Sequence, residues 1–157
     1  MRKLIFMFLV TVLLPFYAAA QNKEHHGQGY VFVAPGTSSE GGLFLHIGGG
    51  GEGLVYKGMG VGGEIGYLGA SGLSNGVGVI SPNVSYNFSK SSGFSPFVTG
   101  GYTLFFRGES YHAGNIGAGM NWWFKDHLGL RLEVRDHIVA TSPKIHIVGI
   151  RIGLSFR

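Results

Sequence analysis

Leu128-Gly129-Leu130-Arg131-Leu132-Glu133-Val134-Arg135 alternates without a slip, with Leu128, Leu130, Leu132 and Val134 on one face and Gly129, Arg131, Glu133 and Arg135 on the other. A period of two is that of an extended strand, whose successive side chains leave opposite sides of the sheet. This strand therefore has a hydrocarbon face and an almost wholly charged one. In a soluble sheet the apolar face is buried and the charges meet water. In a transmembrane barrel the arrangement is inverted, with lipid outside and a polar lumen within. One strand is compatible with both, so the rest of the chain decides.

The N-terminus sets the compartment. Arg2 and Lys3 precede an apolar run from Leu4 to Phe16, broken by Thr11, and Ala18-Ala19-Ala20 stands before Gln21. A basic start, a short apolar core and a small-residue cleavage point make residues 1–20 a secretory signal peptide. No later stretch offers the roughly 20 continuous apolar residues that a membrane-spanning helix needs. The chain is expected to be exported, with residues 21–157 as a single domain.

Composition narrows the class further. There is no cysteine, so a disulfide scaffold is excluded. The net charge is +4, which becomes +2 without Arg2 and Lys3, and no basic run points to nucleic acid. Glycine supplies 29 of 157 residues and aromatics 13%, with aliphatic residues recurring between the glycines throughout. That spacing is not the composition of a disordered chain, and glycine at this density disfavours long helices.

Period-two alternation bounded by turn residues divides the chain into eight segments: about 27–35, 42–55, 58–69, 76–88, 95–107, 114–124, the opening stretch, and 144–157. Eight strands with no intervening helix imply an antiparallel meander, its ends returning to one side. Tight connections are expected around 56–57, 89–93 and 125–127, and longer or more polar ones at 36–41, 70–75, 108–113 and 136–143. Short turns on one side and longer loops on the other is the asymmetry of outer-membrane barrels.

Aromatic residues collect at strand ends. Tyr86, Phe88, Phe94, Phe97, Trp122, Trp123, Phe124 and Phe156 fall on the tight-turn side, and Tyr67, Phe105, Phe106 and Tyr111 on the other. Two such bands are the girdles of a membrane protein; Tyr86, Phe88, Trp122, Trp123, Phe124 and Phe156 are the candidates for the girdle on the turn side. The polar faces carry Glu52, Glu64, Arg131, Glu133, Arg135 and Arg151, interleaved with glycines that leave room for long side chains. Charges of both signs on narrow faces predict a paired lumen network, with the Leu, Ile and Val faces against lipid.

The chain thus resembles the small eight-stranded outer-membrane barrels of the outer-membrane protein A and X-like superfamily, over its whole length beyond the leader. The last strand, Ile147-Val148-Gly149-Ile150-Arg151-Ile152-Gly153-Leu154-Ser155-Phe156, is similar to that family's C-terminal assembly signal, with Arg157 following the aromatic Phe156. The resemblance implies an all-β, eight-stranded, antiparallel up-and-down transmembrane β-barrel. It further implies location in the outer membrane, contact with outer-membrane lipid and with the assembly machinery, and a structural or surface-interaction role as a monomer, without cofactor or catalysis. Two other readings are an outer-membrane lipid-modifying enzyme and a soluble exported lipocalin-like barrel carrying a small apolar ligand.

Chemistry-bearing residues are sparse. An eight-stranded barrel has an interior only just wide enough for side chains, so the lumen charges read as a structural network rather than an ion path. Asp136, His137 and Ser142 supply the residue types of acyl transfer, but neighbours in a strand point to opposite faces, which separates Asp136 from His137. His46, Ser81 and Ser85 are no better placed. His25-His26 and the other histidines lack a recognised ligand spacing, and the Gly48 to Gly51 run lacks the Lys and helix of a phosphate loop.

Overall fold

The computed structural model describes residues 27–70, 75–88 and 93–157, which form strands and turns alone. The expected signal peptide, residues 1–20, and His25 and His26 lie outside the described residues. Eight strands follow in order: β1 (Gly27–Ser38), β2 (Leu43–Tyr56), β3 (Met59–Ala70), β4 (Val77–Asn87), β5 (Phe94–Arg107), β6 (Glu109–Lys125), β7 (Leu128–Val139) and β8 (Ile145–Phe156). Each pairs antiparallel with the next, and β8 returns to β1, so the sheet is a closed up-and-down barrel. Closure leaves no unpaired edge, which is the condition for strands to cross hydrocarbon. The strands run from 11 to 17 residues, and a tilted strand needs roughly 9–11 to cross a bilayer.

Alternation settles sidedness. Arg131, Glu133 and Arg135 are buried in the lumen, while Leu132 and Val134 between them face out. The same holds for Val61, Ile65, Ile116, Ile150 and Ile152, all exposed on the outer surface. An apolar surface encircling the whole barrel far exceeds the patches of a few hundred Å² that soluble monomers expose; it is a lipid-facing belt, and the fold is a transmembrane barrel. The reading as a soluble carrier, which needs these faces turned inward, is overturned by their direction.

The interior is narrow, and glycines make room where large groups cross it. A methyl group on Gly48 would come within 2.9 Å of Phe32 Cζ, and one on Gly119 within 2.8 Å of Phe97 Cζ. At the β2–β3 turn Lys57 and Gly58 both have positive φ, 39° and 92°. Two left-handed residues in a two-residue loop match the right-handed twist of the flanking strands.

The connections depart from expectation. Strand β6 begins at Glu109, and Arg107 pairs with Glu109 around Gly108 alone, so the loop expected over 108–113 is part of the ladder. Likewise β1 continues to Ser38 and β7 to Val139, shortening the loops expected at 36–41 and 136–143. In β6 backbone pairing extends beyond the alternating stretch, because Glu109, Ser110, Tyr111 and His112 are all exposed and no face is selected.

Two ladders contain a gap. Pairing of β1 with β8 runs through Val33↔Ile152, then resumes at Gly36↔Gly149; that of β4 with β5 runs through Ile80↔Leu104 and resumes at Asn83↔Gly101. Pro35 sits in the first gap and Pro82 in the second, each without an N–H to donate. Inside the second gap the Ser81 and Thr103 hydroxyls bond at 2.9 Å.

Replacing Leu132 by arginine is expected to lower the stability of the barrel in lipid vesicles by about 2–4 kcal/mol, the cost of a lipid-facing arginine near mid-membrane. Leu132→Phe should stay close to the parent. Urea unfolding of the refolded proteins reads both, and equal tolerance of the two changes would reverse the assigned faces.

Candidate functional site: the charged lumen

Parity places Glu52 on β2, Glu64 on β3, Arg131, Glu133 and Arg135 on β7 and Arg151 on β8 inside the barrel, and all six are buried. The β7–β8 register sets Glu133 directly opposite Arg151. Five of the six meet in one network. The Glu64 carboxylate accepts from Arg151 Nη1 on both oxygens, at 2.9 and 2.8 Å, from Arg135 Nη1 at 3.0 Å and from the Tyr30 hydroxyl at 2.7 Å. Glu133 accepts from Arg135 Nε at 2.5 Å and from Arg131 Nε at 3.2 Å. Arg135 therefore bridges the two carboxylates.

Aromatic rings cover the guanidinium planes. Arg131 lies between Tyr30 and Phe97, 4.2 and 3.9 Å from the ring centroids, and Arg151 stands 4.3 Å from Phe32. These contacts add cation–π attraction in a dry setting, since Arg131 and Arg151 are each only 2% exposed. Sequence reasoning missed the inward rings. Phe97 was assigned to the turn-side band and Phe105 to the opposite band, yet both point into the lumen. Their parity, opposite to the outward Val98 and Phe106, was the available signal.

Two further placements are corrected. Glu52 is buried but lies apart from the arginines: it accepts from Ser85 Oγ at 2.7 Å, from Asn87 Nδ2 at 3.1 Å and from Gln28. It belongs to a separate cluster of uncharged donors, continued by Asn121 and Ser155, because its strand carries it nearer the turn end than Glu64. Trp123, expected in the girdle, turns inward at 8% exposure, while Trp122 beside it is 47% exposed. Three consecutive aromatics cannot share a face, and Trp123 falls on that of Asn121. Arg157 stacks on it at 4.2 Å and donates through Nε to the Asp126 carbonyl at 2.9 Å, closing the turn end of the lumen. Tyr86, Phe88, Trp122, Phe124 and Phe156 stand on the outer face.

Towards the loop end the charges give way to His46 and His137, whose ring centroids are 6.2 Å apart, and then to an apolar layer of Phe44, Leu68, Val79, Phe105, Ala113 and Val139. His137 Nδ1 meets Thr103 Oγ1 at 2.9 Å and its Nε2 faces Arg151. A histidine flanked by a guanidinium lacks the orienting carboxylate of a hydrolytic triad. Asp136 and His137 do point to opposite faces, and Ser142 is exposed in the turn that follows. Asp136 instead accepts from His146 Nδ1 at 2.7 Å on the outer surface. Ser81 bonds Thr103 and Ser85 bonds Glu52. Among the described residues no three His, Cys, Asp or Glu side chains gather as a metal site.

No protein-family model and no curated protein sequence matches this chain. Solved structures do. The N-terminal β-barrel domain of Pseudomonas aeruginosa OprF superposes with a TM-score of 0.60 at 14% identity, over 82% of this chain and 97% of that one. Neisserial surface protein A gives 0.60 at 13% identity, over 83% and 94%. The outer-membrane enzyme PagL also gives 0.60, at 15% identity, over 79% and 97%. At such identities the likeness is one of fold: this chain has the fold of the small outer-membrane β-barrels.

Glu133→Ala leaves Arg131 without its carboxylate and takes one of two from Arg135, and the barrel should lose about 3–5 kcal/mol of stability, as when a buried pair is broken from one side. Glu52→Ala strands only uncharged donors, on Ser85, Asn87 and Gln28, and should cost about 1–3 kcal/mol. Unfolding midpoints of the two variants in the same vesicles test the difference; equal losses would dissolve the distinction between network and cluster.

Proposed function

We propose that this chain is an integral outer-membrane protein that works through the surface it presents, as a structural or surface-interacting barrel, and neither conducts ions nor catalyses a reaction. The observation that carries this reading is the lumen. Glu64, Glu133, Arg135 and Arg151 are paired with one another and sealed by Tyr30, Phe32 and Phe97, so the charges that would line an ion path are consumed in holding the wall together.

The apolar belt and the fold shared with outer-membrane barrels support an outer-membrane location. In this proposal residues 1–20 are the cleaved export leader, and the last strand, ending on the outward Phe156, is what the assembly machinery recognises. Tyr86, Phe88, Trp122, Phe124 and Phe156 anchor the turn side at the lipid interface. In this reading the barrel acts as a monomer, with no open edge for strand addition by a second copy.

The likeness to an enzyme raises the reading of a lipid-modifying activity. The Asp136–His146 pair on the outer surface supplies an acid and a base, but the neighbouring Ser39 hydroxyl accepts from the His146 backbone N–H at 3.1 Å and is not engaged by the ring. No nucleophile is activated there.

The test combines two measurements. Envelope fractions run on a gel with and without boiling should show a heat-dependent shift confined to the outer membrane, and the purified barrel in planar bilayers should give no conductance steps. Sustained ohmic steps would overturn the closed lumen, and fatty-acid release from phospholipid vesicles would move the protein to the enzymes.

A further inference from the structure

We infer that the outer mouth of the lumen is a binding pocket for a small, uncharged, apolar molecule of one or two rings that arrives from the aqueous side. The mouth contains a cavity of about 300 Å³ among Phe44, Leu68, Val77, Phe105, Val139 and Ile147. Close-packed interiors hold few voids larger than a water molecule, so this volume is a feature of the site. Among the described residues that line it, none is charged. The hydroxyls around it belong to Ser38, Tyr111 and Thr141; Tyr111 donates to Glu109 at 3.2 Å and Thr141 to the Pro143 carbonyl at 2.8 Å. A water needs two to four polar partners, and a cavity walled by hydrocarbon holds apolar guests instead.

The shape of the pocket depends on where Phe44 lies. A methyl group on Gly36 would sit 2.2 Å from Phe44 Cζ, and one on Gly149 would sit 3.3 Å from it. The bare backbones of β1 and β8 therefore let the ring lie against the wall, which leaves the mouth clear and presents an aromatic face to it. Phe105 supplies another, backed by His137 at 5.7 Å between centroids. Below the histidines the Glu64–Arg151 pairs close the lumen, so the pocket is blind and holds its guest without passing it on.

Access and size select the ligand. The wall is laddered up to the mouth, by Phe44↔Ala70 between β2 and β3, by Val139↔Ile145 between β7 and β8 and by Ser38↔Ile147 between β1 and β8. These pairs offer a lipid tail no lateral slot at the mouth, and the Pro35 gap of the β1–β8 ladder lies below them, so entry is along the barrel axis. A cavity of roughly 150 Å³ accommodates benzene; twice that volume suits a fused pair of rings. A charged ligand would lose its hydration with no counter-ion in the lining to replace it. The pocket goes beyond a surface role in general, and it shares with the proposed function the closed lumen beneath it.

The experiment uses the full barrel in lipid nanodiscs and 1-fluoronaphthalene as the probe, followed by ¹⁹F NMR. Wild type should show a saturable bound resonance at one site. Leu68→Trp and Val77→Trp each fill the cavity and should weaken binding at least about tenfold, a change of 1.4 kcal/mol or more. Leu45→Trp, on the outer face, should leave it intact. The heat-dependent gel shift confirms that each variant is folded, and either filling variant suffices if the other fails to assemble. A resonance that persists in both folded filling variants reports partition into lipid and overturns the pocket, as does the lack of saturation in wild type. Displacement of the probe by dodecylphosphocholine below its micelle concentration would assign the cavity to an acyl chain and overturn the ring ligand.

Discussion

A carboxylate at the centre of an eight-stranded barrel has no bulk water to fall back on, and Glu64 replaces it completely with protein: both oxygens are engaged by Arg151, one by Arg135 and the other by the Tyr30 hydroxyl. The donors come from β1, β7 and β8, across the lumen from β3. The interaction is thus a set of spokes tying one wall to the other. Removing any member leaves the rest charged and dry, which is why the network behaves as a unit rather than as a sum of pairs.

The same charges discipline the register. If β7 slipped by one residue, Arg131, Glu133 and Arg135 would be delivered to lipid and Leu130, Leu132 and Val134 to the lumen. Each arginine so placed costs about 2–4 kcal/mol in mid-membrane, and Glu64 would lose its partners as well. Lipid gives little discrimination among apolar outer faces, so the discriminating information has to sit inside. The grading of the lumen, polar at the turn end, charged in the middle and apolar at the loop end, places each layer at a defined height.

The fold was legible because lipid and lumen demand opposite chemistry on alternate residues, and residues 128–135 state that demand with no exception. Parity, the mixed signs and the interleaved glycines all point the charged residues inward, and the six are buried in the barrel. What escaped was anything that depends on closure. Glu52 and Glu64 share an inward face, but which of them reaches the arginines depends on the stagger between strands around the ring, and no single strand records it. Trp122, Trp123 and Phe124 name a girdle by composition while parity divides them, and the division prevails. Strand β6 outran its expected start because Glu109 to His112 are all exposed, and backbone pairing persists there without any alternation to reveal it.

The gaps at Pro35 and Pro82 fall in the β8–β1 and β4–β5 ladders, which lie four strands apart and so face each other across the barrel. Between them run two panels, β1 to β4 and β5 to β8, each paired throughout apart from one bulge beside a turn, at Leu54/Tyr56 and at Trp123/Lys125. A hoop thinned at opposite points deforms as an oval, its two halves hinging while each stays stiff. The cross-section can therefore breathe along one diameter, as the surrounding bilayer thins or thickens, with the Ser81–Thr103 bond spanning one hinge line and the spokes from Glu64 limiting the excursion.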